Sequence, residues 1–208
     1  MIVKDVSEVR LAQLLCTRMC HDLAGPVGAV VNGAELLAGD AAFAAEASAL
    51  LGESAHAASA RVKFFRAALG WNGGNLSGGH AARDLLAHYI AAVASAASAP
   101  ELVWDNDGAH DMASEGLQLL LNLGLLAFEC LPRGGRISVT ASAYLEVVAE
   151  GRGVALREGV AEALSLDGQN LTPKSVQAYY TARLAGELGG RVTLEVFPDR
   201  VALRVVGA

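Results

Sequence analysis

The sequence has little cysteine, little proline, few aromatics and no long apolar run. Three cysteines, Cys16, Cys20 and Cys130, stand among 208 residues. An odd, low count without even spacing excludes a disulfide framework and fits a reducing compartment. No uncharged apolar run reaches the roughly 18 residues a membrane helix needs. The opening Met-Ile-Val-Lys-Asp runs into a charged amphipathic segment and does not read as a signal peptide. A cytoplasmic protein without membrane association is expected. Basic clusters are missing as well: the formal net charge is -6. Neutralising phosphates needs clustered Lys and Arg, so nucleic acid is excluded as a partner. There is no internal repeat and no low-complexity tract.

What is present is enough apolar material for a core, at 53% hydrophobic and 18% charged residues. The first 70 residues read as two helices, from about Val6 to Leu37 and from Ala42 to Leu69. Gly39 serves as a helix end between them and Asp40 as the next cap. The segment GWNGGNLSGG, residues 70–79, is the clearest linker in the chain. Beyond it the pattern changes. Helices are expected over 81–97, 113–130, 158–165 and 174–188. Strands are expected at Glu101–Trp104, Ile137–Ala143, Tyr144–Ala149, Arg191–Phe197 and Arg200–Val206. The fold class is therefore α+β, with one sheet carrying helices on one face. The division is a helical hairpin over 1–70, a linker over 71–79 and an α/β sandwich over 80–208. Two helices cannot enclose a core, and both show apolar stripes. Pairing of two hairpins into a dimeric four-helix bundle is the economical solution.

In the first helix, Cys16, Met19, Leu23, Pro26, Val30 and Leu37 recur at helical spacings and form one stripe expected to be buried. At about 100° per residue, His21 lies roughly 140–180° from each of them and points outward. Its own face holds Arg10, Leu14, Thr17, Arg18, Gly25, Gly28 and Asn32. Small residues beside an exposed histidine, with an apolar Leu14 where a polar residue belongs, describe a docking surface better than a solubilising one. Arg18, about a turn away, is placed to attract phosphate charge. Pro26 removes a helical hydrogen bond at a cost of about 3 kcal/mol, so it either bends the helix after His21 or starts a new one.

His21-Asp22-Leu23-Ala24-Gly25-Pro26 resembles the H-box of sensor histidine kinases. The longer stretch CHDLAGPVGAVVNGAELL is similar to the alphaproteobacterial histidine phosphotransferases of the ChpT type, over the whole chain. The resemblance implies a dimeric helical bundle followed by a degenerate histidine-kinase-type ATPase domain. Three contact points depart from the kinase pattern. Asn122 matches the first N-box asparagine, but Leu126 stands where the magnesium-holding one belongs. Ala149, Gly151 and Gly153 match the adenine motif without its aspartate. Leu171-Thr172-Pro173-Lys174-Ser175 replaces the glycine-rich phosphate loop. Leu126 offers magnesium no oxygen, Ala149 offers adenine no acceptor, and the loop lacks the glycines that let backbone N–H groups converge on phosphate.

The implied activity is a phosphotransferase in a two-component phosphorelay. His21 carries the phosphoryl group between receiver-domain aspartates, and Asp22 orients the ring or accepts its second proton. Leu14, Thr17, Arg18, Gly25 and Gly28 are the candidates for receiver docking. The implied partners are response-regulator receivers, the receiver of a hybrid kinase and a second copy of the chain. No cofactor of its own is expected, since magnesium comes with the receiver. Gly25 has no side chain to hold a water, so weak phosphatase activity is expected. The alternatives are an active sensor kinase and a non-catalytic dimeric scaffold. A metal site from Cys16, Cys20 and His21 is disfavoured because the ring points away from the cysteines. His56, His80, His88 and His110 show no ligand pattern. Trp71 and Trp104 read as core or linker anchors. Asp105-Asn106-Asp107 reads as a turn.

Overall fold

A computed structural model describes residues 6–39, 43–71, 76–95, 97–105, 112–142 and 144–207. The expected cap at Asp40, residues 72–75 of the glycine-rich linker, His110 and the tail of the Asp105–Asp107 turn lie outside them. The chain runs α1 (Glu8–Gly39), α2 (Ala44–Leu69), α3 (Gly79–Val93), β1 (Glu101–Asp105), α4 (Ser114–Glu129), β2 (Arg136–Ala141), β3 (Leu145–Glu150), α5 (Val160–Leu164), α6 (Val176–Glu187), β4 (Arg191–Val196) and β5 (Arg200–Val206).

The strands form one sheet in the order β1-β2-β3-β5-β4. β1 pairs parallel with β2, and every other pair is antiparallel. Alternation sets the buried face. Ile137 and Val139 sit opposite Ala149 and Val147, which in turn face Val201 and Leu203. All six are almost fully buried. Against this face lies α4, buried without a break from Leu117 to Ala127. A helix that is apolar all round must be covered all round. Here the sheet covers one side while α2, α3 and α6 cover the other.

α1 and α2 form the expected antiparallel hairpin. They approach closely where Gly33 sits: an added Cβ would stand 3.2 Å from Leu51 Cγ. Pro26 lies inside one continuous 32-residue helix, so it does not start a new one. The hairpin also packs on the rest of the chain. Val6, Phe64 and Phe65 belong to the same buried cluster as the α4 leucines and Tyr179, and Leu11, Leu14, Leu15 and Met19 pack against it. Tyr89 stacks on Phe64, with ring centroids 4.2 Å apart.

Four expectations about burial are corrected. Arg18 is buried. Cys16 and Cys20 are exposed. Leu37, at the end of the supposed buried stripe, is about half exposed, and Trp71 is 90% exposed and is not a core anchor among the described residues. The apolar stripe of α1 is wider than the surface α2 can cover, which leaves part of it facing outward.

Candidate functional site

His21 stands in the middle of α1 and is 86% exposed. Its Nδ1 lies 3.1 Å from Asp22 Oδ1. A carboxylate oxygen accepts hydrogen bonds, so this contact suits the tautomer in which Nδ1 donates and Nε2 keeps the lone pair. Asp22 is half-buried, and its other oxygen is 3.7 Å from Arg18 Nε. Successive side chains on a helix point about 100° apart, so His21 points out while Asp22 leans toward the body of the molecule.

Arg18 leads inward. It is 6% exposed, pairs through Nη2 with Glu129 at the end of α4, and donates from Nη1 to the Lys174 carbonyl at 3.5 Å. Glu129 also receives Arg157, at 3.2 Å. A continuous line of groups therefore runs from the exposed imidazole into the second half of the chain: His21, Asp22, Arg18, Glu129, Arg157. Tyr89 lies in the field of this line. Its hydroxyl is pushed up to about 12, chiefly by burial and then by the charges of Asp22 and Glu129. The Cys130 thiol is likewise pushed up to about 12, by burial and then by Glu129.

The other docking candidates divide. Gly25 and Gly28 are exposed, and a Cβ at either would meet nothing within 4 Å. Thr17 is exposed, with its hydroxyl donating to the Gln13 carbonyl at 2.8 Å. Leu14 is half-buried and packs on the core, so only part of it is available. Arg18, expected on this outer face, is committed to the interior because α4 and the loop before α6 cover that flank of α1. Beside Gly25, an open groove of about 690 Å³ separates α1 from α2, lined among others by Pro26, Ser54, His56 and Arg61.

Glu129 and this groove were not singled out from the sequence. Glu129 had a readable signal: an anion in the last turn of a helix opposes the helix dipole and calls for a cation nearby.

Asn122, Leu126 and Ala149, matched to nucleotide contacts by resemblance, lie within the core. Asn122 is fully buried. Its amide donates to the Ala68 carbonyl at 2.7 Å and to the Gln118 carbonyl at 2.8 Å, and its oxygen accepts from Gln177. Gln118, one turn earlier, donates to the Gly70 carbonyl at 2.9 Å. Both amides thus satisfy carbonyls left open at the end of α2. Leu126 and Ala149 are buried in the core. Gly151 has a packing reason: a Cβ there would stand 2.6 Å from the Gly134 carbonyl oxygen. Among the described residues no group of three or more His, Cys, Asp or Glu is placed to hold a metal, and no helix is long and apolar enough to cross a membrane.

Comparison with known proteins places the chain among phosphotransferases. The family model for the histidine phosphotransferase C-terminal domain matches residues 80–200. The protein phosphotransferase ChpT of Brucella abortus (strain 2308) is 34% identical, over 94% of this chain and 95% of its own length. A bacterial phosphotransferase whose structure was solved at 1.7 Å superposes with a TM-score of 0.80, at 30% identity, over 96% of this chain and 97% of the other.

Proposed function

The chain belongs to the ChpT-type family of histidine phosphotransferases, and from that premise we propose that it relays a phosphoryl group between receiver-domain aspartates on His21 without making that group from ATP. The observation that carries this reading is the exposed imidazole with Nδ1 fixed by Asp22. The Nε2 lone pair attacks phosphorus of a receiver's aspartyl phosphate. An N–P bond forms as the bond to the aspartate oxygen breaks, and the receiver's carboxylate leaves with the electron pair. Nδ1 keeps its proton on Asp22, which offsets the positive charge gained by the ring. Return to a second receiver reverses these steps. Such transfer depends on positioning and charge neutralisation more than on local catalytic groups. Magnesium belongs to the receiver in this reading, since Leu126, Ala149 and the Thr172–Ser175 segment give nucleotide and its metal no ligands.

Gly25, Gly28 and Thr17 form the near part of the receiver surface, and the open space over both glycines supports close approach. The receivers are those of response regulators and of a hybrid kinase, in the cytoplasm. The chain works as a homodimer. Val9, Cys16, Cys20, Val27 and Val31 fall within about 60° of one another on α1, and all five are exposed in the single chain. A second hairpin covering this stripe completes a four-helix bundle.

The test is a relay in two stages. A labelled receiver is mixed with the protein, and a second receiver is then added. Label is expected to reach the protein and then the second receiver, and His21→Ala is expected to stop both. Undiminished passage through His21→Ala would overturn the assignment and favour a scaffold.

A further inference from the structure

We infer that Arg18 is a positioning residue for the transfer, one that fixes Asp22, and through it the His21 ring, against the second half of the chain. This rests on the reading of His21 as the phosphoryl acceptor. Asp22 has two oxygens with separate tasks. Oδ1 holds the imidazole Nδ1 at 3.1 Å, and Oδ2 faces Arg18 Nε at 3.7 Å. A carboxylate free to rotate would present Oδ1 to the ring only part of the time. Arg18 stops that rotation because it cannot itself move: it is 6% exposed, and its two terminal nitrogens are engaged by Glu129 and the Lys174 carbonyl.

The Nε of Arg18 is buried and has no hydrogen-bond partner within the chain among the described residues. The charge that faces it is Asp22. A small closing movement of Asp22 brings this pair to hydrogen-bond distance, which matters when the ring gains positive charge during attack. Glu129, in turn, is shared with Arg157, so the orientation of the histidine is tied to groups more than a hundred residues distant in sequence. Nothing about a solvated surface histidine requires such a chain of contacts.

The substitutions that test this are Arg18→Lys and Arg18→Gln. Lysine keeps a cation for Glu129 but places no donor at the Nε position, so it separates anchoring of the fold from orientation of Asp22. Two readouts are needed. The first is the 15N spectrum of the His21 ring at a pH where it is neutral, which reports which nitrogen bears the proton. The second is the transfer rate from a labelled receiver at saturating and at sub-saturating receiver. The wild type is expected to hold the proton on Nδ1. In Arg18→Lys the fold is expected to persist, the tautomer to become mixed and the saturated rate to fall by about 10- to 100-fold, with half-saturation unchanged. Arg18→Gln is expected to do the same where it folds. A folded Arg18→Lys with wild-type tautomer and saturated rate would overturn the proposal. So would a loss confined to half-saturation, which would make Arg18 a docking residue. If no receiver labels the wild type, the acceptor reading fails, and the tautomer still decides whether Arg18 orients the ring.

Discussion

The helix face around His21 and the interior around Asn122 are built on opposite rules. Around His21, Gly25 and Gly28 have open space where a side chain would stand, and the imidazole is exposed. Around Asn122 every amide atom of that residue is spent inside the chain, and Leu126 and Ala149 fill the core. By the family resemblance both regions match chemical motifs: one a phosphoacceptor helix, the other a nucleotide site. On the function proposed above, the first keeps its polar groups for a partner. The second holds its polar groups within the structure, with Asn122 and Gln118 closing the open end of α2. A polar residue matched to a motif is thus read by where its hydrogen bonds go.

The comparison is broken most severely at Asn122. Asn122→Ala leaves the Gln177 amide and the Ala68 carbonyl without this partner in a dry interior, and is expected to lower stability by roughly 3 kcal/mol. Urea unfolding measures this. At temperatures where the variant remains folded, labelling of His21 by a receiver is expected to be within a factor of about two of wild type. A variant with normal stability would mean that the buried amide is not a structural latch.

Gly28→Ala sharpens the contrast from the other side. Replacing a helical glycine whose Cβ would meet nothing is expected to raise stability by about 1 kcal/mol. If a receiver packs over this glycine, the same change weakens docking, seen as a rise in half-saturation during transfer. Opposite signs in the two measurements identify a surface kept for a partner. A gain in stability with unchanged transfer would remove Gly28 from that surface.

A smaller effect comes with pH. Burial pushes the Tyr89 hydroxyl and the Cys130 thiol up to about 12, from ordinary values of 10.0 and 9.0. Above pH 9 the unfolded chain gives up these protons while the native chain keeps them. The unfolded state then binds fewer protons, so stability falls as pH rises. This contribution is fully present below pH 9 and is lost progressively toward 12. Unfolding midpoints taken from neutral pH upward should show the decline, and Tyr89→Phe with Cys130→Ala should flatten it. No such decline in the wild type would mean that these groups are solvated in the native state.

Much of the fold was legible because periodicity is a local property. The alternation in β2 and β5 and the largely apolar run of α4 each announce a buried surface without knowledge of the partner. The outward position of His21 was legible in the same way, since it lies opposite the apolar stripe of its own helix. Arg18 was not. A helical wheel places it about 60° from His21, toward solvent, but the wheel does not know that α4 ends beside it and supplies Glu129. Cys16 and Cys20 misled for a related reason. The apolar arc of α1 serves two surfaces, one against α2 and one still facing outward, and a sequence does not divide the arc between them. Asn122 was recognised as a motif residue, while its latch role was missed. The i, i+4 pair Gln118 and Asn122 in an otherwise apolar helix was the available sign, because buried amides at that spacing need a shared set of acceptors.

The central claim is that the His21 face is open to a phosphoryl donor and the second half of the chain is closed to nucleotide. The most direct measurement supplies label to the full-length protein in two parallel reactions, one from a phosphorylated receiver and one from ATP with magnesium, and reads phosphohistidine at position 21. The account predicts label from the receiver and none from ATP. Label at His21 from ATP alone would contradict it and make the protein a kinase.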